Sequence, residues 1–484
     1  MINKSTTSQS SNRKWLAMLG VGMGVFMATL DASIVNISLP TLVKELNTSF
    51  AAIEWVILSY VLVVTSLLLG VARLGDMRDK KKVYMAGLAL FTAASLLCGL
   101  APNVGWLIAF RGLQGIGAAM TQALGAAIIT EVFPPQERGR ALGLIGTTVS
   151  TGIAIGPPLG GLLIGLLGWR SIFLVNVPVG LLALWVISRH VPAFSARPNQ
   201  RFDAIGAAVL FLTLSSYALG MTLGQHNGFD AGIVRILLAA GALGLGLFIF
   251  IETRVAQPMV DLRLFKNPLF SLNLLMATFV FIAMAGMFIM PFFLQLVRGY
   301  STQEIGLMLM ANPIAMGIVA PFAGALSDRY GSRGISLIGL ALIVIGCLTI
   351  STLHAEVTAL GFILRLLPFG FGLGMFQSPN NSAIMGGVPR ERLGVASGLL
   401  SLSRTLGQTT GLPLMGALFT SLILGYAQMP AGTDITTAPA FALVSGVNGT
   451  YRTAAFFILG AILLGAFALI IDTRRKSLAR INQM

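Results

Sequence analysis

Ionisable and amide side chains inside apolar stretches are the residues of this sequence that could do chemistry. Asp31 stands within Leu30-Asp31-Ala-Ser-Ile-Val-Asn36. A carboxylate at the middle of a bilayer costs about 2.5–3.5 kcal/mol on insertion scales, so an acid there is functional by default. A carboxyl group holds a proton more tightly when buried and less tightly beside a cation. Asp31 therefore predicts a site that handles a proton or a cationic substrate. The alternative is a hydrogen bond to backbone or to Asn36 that anchors the helix.

Arg111 is expected at a depth similar to that of Asp31. At 1.5 Å per residue, Arg111 lies about 9 Å inside its apolar stretch, and Asp31 lies about 13 Å from the same membrane face. An ion pair between them would lower the burial cost of both charges, and Gln114, one turn further along, could join it. The alternative is an arginine whose side chain extends to the membrane surface.

A second set of polar residues lies in the later apolar stretches. Arg404 interrupts Ser401-Leu-Ser403-Arg404-Thr-Leu-Gly407, and an inward-facing role is favoured over lipid exposure. The predicted substrate-cavity residues are Asp31, Asn36, Gln114, Gln377, Asn380, Asn381 and Arg404. No metal site or cofactor is predicted, because the three histidines lie at scattered helix ends.

Long apolar segments must position these residues. The chain has 484 residues, of which 55% are hydrophobic and 10% charged. Soluble domains carry about 25% charged residues and disordered chains have low hydrophobicity, so both classes are excluded. Stretches of about 20 apolar residues can cross a bilayer. They predict an all-α polytopic membrane protein with fourteen spans, near 15–39, 51–73, 83–101, 105–129, 140–166, 172–190, 204–223, 232–252, 270–294, 303–326, 335–353, 357–381, 395–424 and 452–471.

Lysine and arginine gather in alternate loops, which indicates the orientation. The basic run Arg78, Lys80, Lys81 and Lys82 is the densest example. The asymmetry predicts both termini in the cytoplasm, with an uncleaved first span as anchor. It also explains the formal net charge of +15 without nucleic acid. We expect a monomer in the plasma (inner) membrane of a bacterium, with the lipid bilayer, a small-molecule substrate and protons as partners.

The two halves of the chain resemble each other at an offset of about 252–254 residues. Residues 72–79 correspond to 324–331, and Arg111 corresponds to Arg365. Parallel repeats of this kind are typical of carriers with a substrate site between the halves. The predicted organisation is a cytoplasmic tail (1–14), a six-helix bundle (15–190), a linker with an inserted helix pair (191–265), a second six-helix bundle (266–471) and a cytoplasmic tail (472–484).

Small residues recur within 152–165. Gly152, Gly156 and Gly160 share one helix face, with Gly161 beside them, and such spacing allows close helix approach. Pro157 and the proline after it bend the helix.

Four segments, 30–40, 72–82, 111–117 and 152–161, together resemble the major facilitator superfamily in its fourteen-helix drug:proton antiporter branch. The resemblance implies proton coupling through Asp31 and Arg111, and export rather than uptake through the antiporter-like segment that holds Gly152, Gly156, Pro157, Gly160 and Gly161.

The resemblance also implies a cytoplasmic gate, since a carboxylate between two helix ends can pair with an arginine in one conformation only. Two positions depart from the family pattern, because Ala72 and Asp79 stand where glycine is usual. A strained or altered turn is therefore expected there. The predicted gating residues are Asp76, Arg78, Arg138, Arg140, Asp328 and Arg329.

The leading function is a proton-coupled exporter of lipophilic, cationic or neutral, drug-like compounds. An ATP-driven pump needs a phosphate loop ending in Gly-Lys-Ser/Thr, and the chain contains no Gly-Lys dipeptide. No enzyme activity is predicted. The alternatives are a dedicated exporter of one metabolite, lipid or siderophore and, from another class, a membrane scaffold or sensor.

Overall fold

The computed structural model describes residues 4–134, 137–194, 203–255, 258, 260, 262–388, 393–430 and 433–481. Within these ranges every regular element is helical. Thirteen helices in the described part are long and apolar enough to cross a membrane, and a shorter apolar stretch, Thr151–Leu167, lies in one more helix. The predicted all-α polytopic fold with fourteen membrane helices is confirmed.

The membrane helices follow one another with short connections. They are α1 (Lys4–Glu45), α2 (Phe50–Met77), α3 (Lys80–Gly99), α4 (Val104–Val132), α5 (Arg138–Leu167), α6 (Asn176–His190), α7 (Ala204–Asn227), α8 (Gly232–Arg254), α9 (Pro268–Ala285), α10 (Ala311–Tyr330), α11 (Ser332–Ile350), α12 (Ala359–Gly386), α13 (Leu393–Ala427) and α14 (Ala440–Ile481). Short helices, Ser171–Leu174 and Thr302–Leu309, precede α6 and α10. Side-chain caps begin several helices, as where the Ser49 hydroxyl accepts from the Ala52 N–H.

The chain folds as two compact units. The amino-terminal unit comprises 1–219 and 236–259. Its first helix lies at the centre of the packing, because α1 contacts α2, α4, α5 and α6, while α3 contacts α4 and α6.

The carboxy-terminal unit comprises 220–235 and 260–484. Here α9 contacts α13 and α14, α12 contacts α10 and α11, and α11 contacts α14. The amino-terminal unit has the same set of contacts among α1 to α6, in the same order along the chain. This equivalence supports the internal repeat read from the sequence. The boundaries predicted for the two bundles and the inserted pair stay predictions.

The membrane span Pro268–Val297 begins with α9 but changes helix type after Ala285. A 3₁₀ segment, Gly286–Ile289, and a π segment, Phe293–Val297, follow Ala285. A 3₁₀ or π segment in the middle of a longer helix often marks a hinge or a functional position.

The last helix begins earlier than its hydropathy predicts. We expected a loop over 425–451, but α14 already begins at Ala440. Its glycines and threonines lower the local hydropathy, yet they serve helix packing. A Cβ at Gly446 would lie 2.6 Å from Ile423, and a Cβ at Gly449 would lie 2.5 Å from Leu422. The Thr450 hydroxyl donates to the Gly446 carbonyl, so it carries no unpaired donor into the packed interface.

Candidate functional site

A buried ion pair lies at the centre of the amino-terminal unit. The Arg111 Nη1 donates to Asp31 Oδ2 at 2.6 Å, and the two side chains are 1% and 0% exposed. The structure thus brings together the two charges that the sequence places at similar depth. Removing either charge alone would leave the other buried without its counterion, which is costly.

Amide side chains complete the surroundings of the Asp31 carboxylate. Asp31 Oδ1 accepts from Gln114 Nε2 at 3.0 Å and from Asn176 Nδ2 at 2.9 Å. Gln114 also accepts a hydrogen bond from Arg111 and donates to the Ser95 hydroxyl at 2.8 Å. Asp31 therefore receives three donors, one of which is the Arg111 guanidinium.

The guanidinium of Arg111 has two further partners on α2. Its Nε donates to the Val56 carbonyl at 2.9 Å, and its carbon lies 4.3 Å from the centre of the Tyr60 ring. A cation over an aromatic face is stabilised by the ring quadrupole. Together with Ser95 and Asn176, these contacts join α1, α2, α3, α4 and α6. The hydrogen bonds around one carboxylate therefore link five helices.

Asn176 was not predicted as a site residue. It is the first residue of α6 and is 1% exposed. The signal was present in the sequence as an amide inside the predicted span 172–190, but hydropathy does not show which way it faces. Glu54 and Glu252 are two further acids that are buried near helix ends. The alternative considered for Asp31 was a bond to backbone or to Asn36. The amide that bonds Asp31 from outside α4 is instead Asn176, and Asn36 is half-buried on α1.

The small residues of α5 face α1 on either side of Asp31. A Cβ at Gly152 would lie 2.3 Å from the Thr29 hydroxyl oxygen, and one at Gly156 would lie 2.5 Å from Ser33. A Cβ at Gly160 would reach Ile37 at 3.0 Å. Only glycine allows the backbones to approach this closely.

This interface also has a polar contact and a proline pair. The Ser33 hydroxyl donates to the Ile153 carbonyl at 3.1 Å, so a side chain of α1 bonds the backbone of α5. Pro157, inside α5, and Gly161, about one turn further along the helix, are both buried. The predicted close approach is present in the structure, directly beside the ion pair.

Most of the predicted gating side chains, Asp76, Arg138, Arg140 and Asp328, lie outside the described residues. Arg78 and Arg329 are exposed. Of the strained or altered turn expected at Asp79, the structure shows an altered one without strain. The φ of Asp79 is −65°, whereas Gly331, its repeat counterpart, has a φ of +91°, which favours glycine. Asp79 is instead the N-cap of α3, and its carboxylate accepts from the N–H groups of Lys81 and Phe194.

The predicted polar residues of the carboxy-terminal unit each have a different partner within that unit. Arg404 Nη2 donates to Asn381 Oδ1 at 3.1 Å, and the guanidinium carbon lies 5.7 Å from the centre of the Phe281 ring. Asn380 is buried and donates to the Asn273 carbonyl at 3.3 Å. Gln377 contacts the Met316 sulfur at 3.9 Å. Arg404 has no carboxylate within ion-pair distance among the described residues.

Across the ranges that the structure describes, no three His, Cys, Asp or Glu side chains lie close enough to hold a metal ion. The two cysteines, Cys98 and Cys347, are buried and free.

A fold in which two sets of six membrane helices, α1–α6 and α9–α14, repeat the same contacts is typical of secondary membrane transporters. Comparison with known proteins leads to the same class of protein. The chain belongs to the Major Facilitator Superfamily, which it matches over residues 21–412.

Two relatives match most of this chain. The riboflavin transporter RibZ of Clostridioides difficile is 31% identical over 458 residues, covering 94% of this chain and 97% of that protein. The multidrug resistance protein Stp of Mycobacterium tuberculosis is 34% identical over 404 residues, covering 83% of this chain and 75% of that protein. Relatives named multidrug resistance protein, multidrug transporter protein and drug efflux pump fit the predicted drug-exporter branch.

A solved structure shares the fold. The crystal structure of a bacterial homologue of the human lysosomal transporter Spinster aligns with a TM-score of 0.67 at 17% identity, covering 94% of this chain and 97% of that chain. This likeness supports the fold alone.

Proposed function

We propose that the protein is a proton-coupled exporter of lipophilic, cationic or neutral drug-like compounds that works by alternating access. The observation that carries the proposal is the Asp31–Arg111 pair, buried with three donors on the carboxylate. It would work in the plasma membrane as a monomer with both termini in the cytoplasm.

Proton binding to Asp31 would remove the negative charge that holds Arg111. Losing one partner of a buried pair costs about 3–5 kcal/mol. That cost is about one to two times the roughly 2.3 kcal/mol that one charge gains in crossing 100 mV. Because the network joins five helices, a proton entering from outside would shift their packing and favour one orientation of the carrier. Returning that proton to the cytoplasm would restore the pair.

The predicted side chains keep their proposed roles. Substrate would meet Asn36, Gln114, Gln377, Asn380, Asn381 and Arg404, and Asp31 once Arg111 releases it. Asp76, Arg78, Arg138, Arg140, Asp328 and Arg329 would act at the gate. A single buried acid in the network disfavours substrates with two positive charges.

A dedicated exporter of one metabolite is the second candidate. It is favoured by the similarity to a protein named riboflavin transporter, which extends over nearly the full length of both chains. A membrane scaffold or sensor is the third, and it would move no substrate.

Transport into everted membrane vesicles tests these candidates. The panel holds lipophilic cations, neutral drugs, anions and riboflavin, each with and without a proton gradient. We expect gradient-dependent uptake of several lipophilic compounds, and loss of that uptake in Asp31→Asn. Asp230→Asn, at an exposed acid, is the matched control. Full gradient-driven transport by Asp31→Asn would contradict proton coupling through Asp31, and uptake of one metabolite alone would favour the second candidate.

A further inference from the structure

Arg365 is the repeat counterpart of Arg111, yet its surroundings differ. Arg111 is buried against an acid, whereas Arg365 is half-buried in the second turn of α12. Among the residues that the structure describes, no carboxylate lies within ion-pair distance of Arg365. An arginine inside an apolar span is costly unless it has a partner or reaches the membrane surface.

The side chain of Arg365 is held by two contacts near the helix ends. Its Nε donates to the Thr352 hydroxyl oxygen at 3.0 Å, and its Nη1 donates to the Gly361 carbonyl at 2.9 Å. Thr352 follows the end of α11, and Gly361 is in the first turn of α12. The side chain therefore runs from the second turn towards the membrane surface, as long cationic side chains do.

Thr352 is itself fixed as an acceptor for Arg365. Its hydroxyl donates to the Thr349 carbonyl at 2.7 Å, which leaves the oxygen lone pairs for the guanidinium. With Nε and one Nη1 hydrogen engaged, the described contacts leave Nη2 free. The guanidinium is thus oriented with unused donors, which suits an anion with several oxygens.

The space beside Arg365 is an open, shallow groove along α11, with Arg365 of α12 at its edge. Ile345, Leu348, Thr349 and Thr352 line it together with Arg365. Leu348 is 49% exposed and Ile345 is 47% exposed. Side chains of this kind on the outside of a membrane helix face acyl chains. The groove is therefore apolar along its length and cationic at the surface end.

We propose that this groove binds one phospholipid, with its phosphate on Arg365 and an acyl chain along Ile345 and Leu348. The two ends of the groove match the two ends of a lipid in charge and polarity. Arginine binds phosphate oxygens with two donors at once. A free phosphate ion would use the cation but not the apolar wall. The proposal does not depend on what the protein transports.

Native mass spectrometry of the delipidated full-length protein tests the proposal. The probes are phosphatidylglycerol, a diacylglycerol with the same acyl chains, and inorganic phosphate. Because hydrogen bonds to a charged group are worth about 1.5–3 kcal/mol, we expect phosphatidylglycerol to bind at least about tenfold more tightly than diacylglycerol. Inorganic phosphate at the same concentration should not compete.

Variants assign the effect to this groove. Arg365→Gln should lose the tenfold preference, and Arg365→Lys, which keeps the charge but not the two-donor geometry, should lose part of it. Arg235→Gln is the matched control, because Arg235 is an exposed arginine in the first turn of α8. Thr352→Val keeps the charge and removes the acceptor of Nε, so it provides the test if Arg365→Gln does not fold.

Three results would overturn the proposal. One is equal binding of phosphatidylglycerol and diacylglycerol by the parent protein. Another is unchanged lipid affinity in Arg365→Gln or, where that variant does not fold, in Thr352→Val. The third is competition by inorganic phosphate, which would identify the site as one for a free anion.

Discussion

The ion pair at the centre of the amino-terminal unit makes a quantitative prediction about stability. Asp31→Asn preserves the shape of the side chain but leaves the Arg111 charge 1% exposed without its counterion. Two unit charges about 4 Å apart interact by about 4 kcal/mol at an effective dielectric constant of 20. Arg111 keeps its contacts to the Val56 carbonyl and the Tyr60 ring. We therefore expect Asp31→Asn to lower the free energy of unfolding by about 3 kcal/mol, at the lower end of the range for broken buried pairs.

The double variant separates this charge effect from a loss of packing. Combining Asp31→Asn with Arg111→Gln removes both charges and leaves polar side chains that can bond each other. The double-mutant cycle should then give a coupling energy of about 2–3 kcal/mol, within the range measured for residues in one network.

The assay is reversible unfolding of the purified protein in mixed micelles with increasing dodecyl sulfate. Parent, both single variants and the double variant are compared at one pH and ionic strength. Asp230→Asn should lie within about 0.5 kcal/mol of the parent, as surface substitutions usually do. A coupling energy below about 0.5 kcal/mol, or a double variant less stable than Asp31→Asn alone, would refute the reasoning, because additivity means that the charges do not support each other.

Two further predictions concern the surroundings of the pair. Gly156→Ala places a methyl group 2.5 Å from Ser33. Because of this overpacking, we expect it to lower the free energy of unfolding by about 1–3 kcal/mol and to reduce vesicle transport. The control is Gly70→Ala, where nothing lies within 4 Å of the added methyl group, and it should have neither effect. Equal stability of the two variants would show that α1 and α5 adjust freely. Asp79→Ala removes the N-cap of α3 and the acceptor for the Phe194 N–H. We expect it to lower the free energy of unfolding by about 1 kcal/mol in the same assay. An unchanged free energy of unfolding would mean that water replaces the carboxylate.

Local hydropathy was a good guide to helices but a poor one to their ends. The apolar stretches predict the membrane helices because crossing the bilayer requires internally bonded backbone whatever the neighbours are. The start of α14 was missed because Gly446 and Gly449 are used for close packing on α13, which composition does not reveal.

Depth along a helix predicts which charges can meet, but not what else surrounds them. Asp31 and Arg111 could be paired from their positions in the sequence, because the rise per residue is constant. The contact of Asn176 with Asp31 could not be predicted in this way, since it depends on how α6 is rotated about its axis. The repeat shows the same limit: Arg111 and Arg365 correspond in sequence, yet one meets a carboxylate and the other an open groove.

The sequence by itself determined that this chain is a membrane protein with fourteen helices in a repeated arrangement, because long apolar segments and their basic flanks follow from the cost of moving polar groups into lipid. The tertiary structure alone decided which side chains surround the Asp31 carboxylate, how closely α5 approaches α1, and that Asp79 caps a helix where its counterpart Gly331 makes a left-handed turn. These features depend on the rotation and separation of neighbouring helices, and both are set by contacts between residues far apart in the chain.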